Sequence, residues 1–450
     1  MNTNNLFFLR AVLKSLLICA LVISSHAQQR YFGVNLAGAD FGTGQNGEGN
    51  LPGVHGTDYI YPNQVEVDYF SDQNMNIVRL PFRWERLQRT LNGEFDNTEM
   101  GRLEAFIEQT TAKGVFVILD PHNYARYHGN LIGLNSSNSS VRSSHFSDFW
   151  VRLAKKFKDN PKVIFGLMNE PSRMQTIQWR IIANEAIAAI REEGATNLIL
   201  VPGNGFTGGH SWLKNFYAQE APNSPVIGPN GYRVGSNAEE MLNIVDPMDN
   251  FAFDIHQYLD SDFSGTVDQC VSTTIGSESL AEVTEWFREH NKKGFLGEFG
   301  GGRGTVCLAA IRDITTYIND RPDEWLGWSY WAAGPWWGNY FSSLEPLNIN
   351  SANPIDRPQL SALVFDFEDP VPIPVPDPVL PPVTISLDSQ SISFLSVIGQ
   401  NYQLQTCTDL RDGWANVGST VSGTGLLIEI DISEENSEEV KKFYRLEVSN

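Results

Sequence analysis

The chain has 450 residues, 53 acidic against 32 basic, and a formal net charge of −21. Such an excess of negative charge argues against nucleic acid and anionic membranes as partners, because both are polyanions. Beyond the N-terminal segment no run is long and apolar enough to span a bilayer.

Residues 1–27 read as a secretory leader. Arg10 and Lys14 supply positive charge, 16–23 form a short apolar core, and Ser25-His26-Ala27 offers small residues for cleavage. Its removal would leave a charge of −23 and three cysteines, Cys270, Cys307 and Cys407. Secretion permits disulfides. Cys270 and Cys307 lie in one predicted domain and Cys407 in another, so the first two are expected to pair and the third is left over. There is no close Cys/His cluster with zinc spacing, and no metal or cofactor is expected.

From residue 28 a pattern recurs: a short apolar run, a polar or glycine-rich loop, then a helical period. The apolar runs are 31–36, 77–81, 115–119, 163–167, 198–201, 251–255, 295–297 and 326–330. Helical periods cover roughly 64–73, 98–113, 141–158, 177–193, 280–291 and 308–319. The stretch 203–250 is long and irregular and gives no clear fifth helix. Strands that are apolar throughout are buried on both faces, as in a parallel sheet covered by helices. Eight βα units predict a closed (β/α)8 TIM barrel within the α/β class, over residues 28–367.

The boundary after the barrel is EDPVPIPVPDPVLPPV, residues 368–383. Its alternating prolines lack amide donors and fix φ, which predicts an extended spacer. Residues 384–450 carry β-rich runs and turn signals without a long helical period, and read as a small all-β module of unassigned role.

On that barrel the polar residues collect at strand ends. Arg79 lies in the second strand, His122 follows the third, and Asn169 and Glu170 close the fourth. His256 and Tyr258 end the sixth, Glu298 the seventh and Trp331 the eighth. The C-terminal rim is where barrels of this type keep their active sites. Taken singly, each residue has an ordinary explanation: a solvated or ion-paired glutamate, a structural histidine, a packed aromatic. Their joint position at one rim argues for a site. Asn169 and Glu170 are neighbours, so an ideal strand would aim them at opposite faces. Pro171 supports a strand that stops there.

Two carboxyls at a barrel mouth suit glycoside hydrolysis, since the leaving oxygen needs a proton and the oxocarbenium-like carbon needs an anion or nucleophile. Retention of configuration requires carboxyls about 5 Å apart and inversion requires more than about 6.5 Å. The segment WSYWAAGPWWGNY adds four tryptophans and two tyrosines, flat surfaces suited to the C–H faces of a β-glucan. Trp328 reads as core packing, whereas Trp336 and Trp337 follow Ala-Gly-Pro in a loop and read as substrate-binding.

The motifs VRLPFRWERLQ, DPHNYARY, GLMNEP, DIHQYLD, LGEFGG and WAAGPWWG, in this order between about residues 33 and 367, resemble glycoside hydrolase family five. The last resembles the secreted endoglucanases of that family. The resemblance implies a retaining endo-β-1,4-glucanase without metal, acting on a β-glucan polysaccharide; the leader implies secretion, and a monomer is expected. It implies Glu170 as acid/base, Glu298 as nucleophile and Asn169 as the residue that binds the sugar 2-hydroxyl. Arg79 and Tyr258 would hold Glu298 ionised and oriented, and His122 and His256 would line the subsite above Trp331. A mannanase, a xyloglucanase or another β-glycanase on the same barrel remains open, as does a non-catalytic glycan-binding protein.

Overall fold

The computed structural model describes residues 29–44, 46, 48–214, 227–365, 391–395, 401–407, 414–422, 427–432 and 443–449. The expected leader and the proline-rich spacer lie outside the described residues. The chain divides into two compact units, Met1–Pro370 and Val371–Asn450.

In the first unit eight parallel strands close into a barrel in sequence order. They are β1 (Tyr31–Leu36), β2 (Ile77–Phe82), β3 (Phe116–Pro121), β4 (Val163–Gly166), β5 (Ile199–Pro202), β6 (Phe251–His256), β7 (Gly294–Glu298) and β8 (Trp325–Ala333). Among the described residues six long helices cover it: α1 (Gln64–Asp72), α2 (Asn97–Ala112), α3 (Ser143–Phe157), α4 (Thr176–Glu192), α5 (Ile275–Glu289) and α6 (Thr305–Asn319). Between β5 and β6 the described residues form only short turns, at Gly209–Ser211, Asn237–Glu240 and Met241–Asn243. The irregularity of that stretch in the sequence has this counterpart.

Strand alternation explains both the core and the site. One cluster takes a residue from every strand: Tyr31, Ile77, Ile118, Ile164, Leu200, Ala252, Phe295 and Leu326. One residue per strand in mutual contact is the filled interior of the barrel. The intervening residues, such as Val78, Val117, Val163 and Phe253, belong to the larger cluster shared with the helices. Residues two and four positions beyond the interior cluster share its face. That register runs from Ile77 to Arg79, from Ile118 to Asp120 and His122, and from Ala252 to Asp254 and His256. The apolar interior therefore gives way to a polar layer at the C-terminal end.

Helix ends follow from local chemistry. Asn63 and Glu66 form a capping box on α1, and the Asp96 carboxylate accepts from the N–H groups of Thr98 and Glu99 at the start of α2. Tryptophans tie helices to strand ends: Trp150 Nε1 of α3 donates to Leu167 O at 3.1 Å, and Trp179 Nε1 of α4 to Pro202 O at 2.7 Å. Helices α5 and α6 begin earlier than their apolar periods suggest, and α3 begins after a short strand at Val141–Arg142. β8 runs through Trp331 instead of ending before it.

Cys270 and Cys307 form the expected disulfide. In the second unit Ser391–Leu395 pairs antiparallel with Leu427–Asp431, and Asn401–Cys407 lies between Ala415–Ser422 and Phe443–Ser449, antiparallel to both. Ile392, Leu404, Val417 and Ile432 form a small apolar cluster there. Cys407 is a buried free thiol.

Candidate active site

Arg79 projects from β2 into the polar layer and is 1% exposed. Its Nη1 donates to Glu298 Oε1 at 2.6 Å and to Asn35 Oδ1 at 2.9 Å; its Nη2 donates to Asn169 Oδ1 at 2.8 Å and lies 3.1 Å from Asp120 Oδ2. One guanidinium thus joins the ends of β1, β3 and β7 and the loop after β4, which its planar set of donors allows. Burial would lower the Arg79 pKa, but Asp120 and Glu298 together raise it.

Glu298 closes β7 at a register shift between Leu296 and Glu298, against β6. Such an irregularity re-aims a side chain relative to strict alternation. The second Glu298 oxygen accepts from Tyr258 OH at 2.8 Å. Burial raises the Tyr258 hydroxyl pKa well above its ordinary value, aided by Glu298, so the phenol stays a donor.

Glu170 reaches the same mouth by another route. β4 ends at Gly166, and Glu170 has a left-handed backbone with φ 43°. The strand stops, as Pro171 suggests, and the Asn169–Glu170 pair escapes alternation. His256 Nδ1 donates to Glu170 Oε1 at 2.7 Å and lies 3.5 Å from Glu298 Oε2. An oxygen of each glutamate and a nitrogen of His256 all lie within 4.8 Å of one another. Burial raises the Glu170 pKa, with the His256 contact opposing. Burial would lower that of His256, but Glu298, Asp254 and Glu170 raise it to about 10.

His122 Nδ1 donates to Asp120 Oδ2 at 2.8 Å, which leaves Nε2 to accept from Asn169 Nδ2 at 3.2 Å. Burial pushes the His122 pKa down to about 4, keeping the ring neutral. The ring stacks on Trp331, with centroids 5.3 Å apart and planes at 18°. Trp337 stands edge-on to Trp331 at 5.9 Å, stacks on Tyr340 and donates to Ala333 O. Trp336 is 49% exposed. Trp328 is fully buried, as its packing role requires.

Ten singled-out residues divide accordingly. Arg79, His122, Asn169, Glu170, His256, Tyr258, Glu298 and Trp331 form one linked set. Trp337 borders it through Trp331, and among the described residues no ring contact or side-chain hydrogen bond ties Trp336 to it. Asn35, Asp120 and Asp254 also lie in the polar layer, outside the residues that the strand-end pattern picks out. The signal for Asp120 and Asp254 was spacing, since each stands two residues before a chosen histidine on the same face. The triads Asp120–His122–Glu298 and Glu170–His256–Glu298 bring metal-ligating atom types together. Arg79 already supplies a cation to Asp120 and Glu298, and both histidines direct Nδ1 at carboxylates.

A parallel eightfold barrel with two such carboxyls at its C-terminal mouth is the arrangement of a glycoside hydrolase. The chain belongs to glycosyl hydrolase family 5: residues 34–334 match the family described as Cellulase (glycosyl hydrolase family 5). It is 39% identical over 318 residues to a probable endo-beta-1,4-glucanase B of Aspergillus kawachii, covering 70% of this chain and 85% of the relative. The solved structure of XacCel5A in complex with cellopentaose matches with a TM-score of 0.66 at 41% identity, over 74% of this chain and 98% of that one. The endo-beta-1,4-glucanase Xac0029 from Xanthomonas axonopodis pv. citri matches with a TM-score of 0.65 at 42% identity, over 74% and 96%.

Proposed function

We propose that this glycoside hydrolase is an endo-β-1,4-glucanase that cleaves internal bonds of cellulose or related β-glucans with retention of configuration. The observation that carries the mechanism is that one oxygen of Glu170 and one of Glu298 lie within 4.8 Å of each other, with His256 Nδ1 against both. Retaining enzymes hold their carboxyls about 5 Å apart, whereas inverting enzymes leave more room for a water. The endoglucanase relatives, and the cellopentaose bound by a protein of similar structure, support β-1,4-glucan as substrate.

In this reading Glu298 is the nucleophile. Arg79 and Tyr258 each hold one of its oxygens, which aims the carboxylate and limits its rotation. Glu170 is the acid/base: burial favours the protonated form that donates to the leaving oxygen, and the resulting carboxylate then takes a proton from the attacking water. Asn169, already held by Arg79 and His122, supports the sugar 2-hydroxyl. Trp331 gives the sugar an indole face, with His122 behind it; Trp337 extends that wall, and the exposed Trp336 is a further loop surface for the chain. Secretion fits the composition of residues 1–27 and the Cys270–Cys307 bridge.

The test is reducing-sugar release from carboxymethylcellulose, mannan and xyloglucan side by side. Preference for carboxymethylcellulose with a rapid fall in viscosity is expected. Activity on mannan alone would reassign the substrate, and no activity on any of the three would reject the reading.

A further inference from the structure

The segment DSDFSGTVDQC, residues 260–270, has no part in the steps above. It forms a loop closed at its base by Val271 N–H, which donates to Leu259 O at 2.9 Å. The Cys270–Cys307 bridge ties the loop to α6, and Cys307 Sγ lies 3.4 Å from Asp268 O. The glycine run after Glu298 packs against it: at Gly302 a Cβ would stand 1.9 Å from Asp268 O.

Inside the loop Asp260 is 2% exposed. Its carboxylate accepts from the backbone N–H of Gly265 at 3.0 Å, Thr266 at 3.0 Å and Val267 at 3.2 Å, and from Ser264 Oγ at 3.2 Å. Four donors converging on one buried carboxylate hold a turn in a single shape.

That shape puts Gly265 against Tyr258. Gly265 has φ 70°, and a Cβ there would stand 2.5 Å from Tyr258 Cδ1 and 2.6 Å from Cε1. No side chain fits between loop and ring. Tyr340 OH also donates to Gly265 O at 3.4 Å. The far end of the same Tyr258 ring carries the hydroxyl that holds Glu298 Oε2.

We propose that Gly265, clamped by Asp260, is a positioning residue: its bare backbone is the wall that fixes the Tyr258 ring and, through its hydroxyl, the angle of the Glu298 carboxylate. This rests on Glu298 being the nucleophile. A carboxylate turned away from the anomeric carbon loses attack rate without losing substrate affinity, and small misplacements are amplified in rate.

The experiment measures the pre-steady-state burst rate and its dependence on the concentration of 2,4-dinitrophenyl β-cellobioside, whose leaving group needs no proton, so that the burst of dinitrophenolate reads attack by Glu298. Gly265→Ala is expected to slow the saturating burst rate by about tenfold or more, with the substrate concentration that half-saturates that rate within about twofold of wild type. Asp260→Asn, which keeps the side-chain volume, is expected to act in the same direction, and it carries the test if Gly265→Ala does not fold. If Gly265 works through Tyr258, the double variant Tyr258→Phe/Gly265→Ala will be no slower than Tyr258→Phe alone. Undiminished burst rates in both loop variants, losses that multiply on the Tyr258→Phe background, or a change only in the substrate concentration that half-saturates the burst rate would overturn the proposal. A Tyr258→Phe variant with the full burst rate would instead reject the nucleophile-holding reading beneath it.

Discussion

Arg79 Nη1 donates to Glu298 Oε1 at 2.6 Å across 219 positions of sequence, with both side chains at most 4% exposed. A charge pair this buried cannot lose one partner cheaply, because water cannot replace it. Arg79→Ala leaves Glu298 and Asp120 without their shared cation. We expect it to destabilise the barrel by about 3–5 kcal/mol and to abolish measurable hydrolysis. Urea unfolding monitored by tryptophan fluorescence gives the first quantity; a loss under about 1 kcal/mol would mean that solvent screens the pair.

The two glutamates are separable by product stereochemistry. With Glu298→Ala, azide can enter where the side chain was and attack from the face opposite the leaving group, giving an α-glycosyl azide. With Glu170→Ala, an activated substrate still forms the glycosyl enzyme, and azide rescues the second step to a β-glycosyl azide. NMR of the products decides, and swapped anomers would reverse the assignment.

His256 predicts a pH dependence of stability. Its folded pKa, about 10, stands above its ordinary value of 6.5, so the folded state holds the proton more tightly. The stabilisation from this group is complete below pH 6.5 and is lost as pH rises toward 10. Thermal unfolding from pH 6 to 10 should show wild type losing more stability than His256→Asn. Parallel curves would remove His256 as the cause.

The disulfide should stabilise through the chain it closes. A separation of 37 residues corresponds to about 4 kcal/mol on the chain-entropy account. Cys270→Ser/Cys307→Ser is expected to unfold at lower denaturant than wild type, and equal midpoints would show that the loop is constrained without the bridge.

Removal of the second unit provides a fifth check. The compact unit Met1–Pro370 holds every residue of the candidate site. A protein ending near Pro370 should keep its activity on soluble carboxymethylcellulose. A folded but inactive truncation would show that residues 384–450 complete the site, and a loss confined to insoluble cellulose would make them a binding module.

The eight-stranded barrel and most of the linked polar set are legible in the order of residues alone. Apolar runs that make strands, helical periods and rim positions are local signals, carried by neighbours within about ten residues. The Cys270–Cys307 pairing followed from which cysteines share a domain. Tertiary structure alone decided which polar groups meet. Arg79 finds Asn35, Asp120, Asn169 and Glu298 only when the barrel closes, because β1, β2, β3 and β7 bring distant residues to one point. Asn35 looks like any strand asparagine until Gly297 O and Tyr330 O accept from its amide. Glu170 and Glu298 both sit at departures from regular strand, one with a left-handed backbone and one at a register shift, whereas Arg79, Asp120, His122, Asp254 and His256 follow strict alternation. Their mutual distance depends on those two local departures and on the barrel's curvature together, so it is a property of the closed fold.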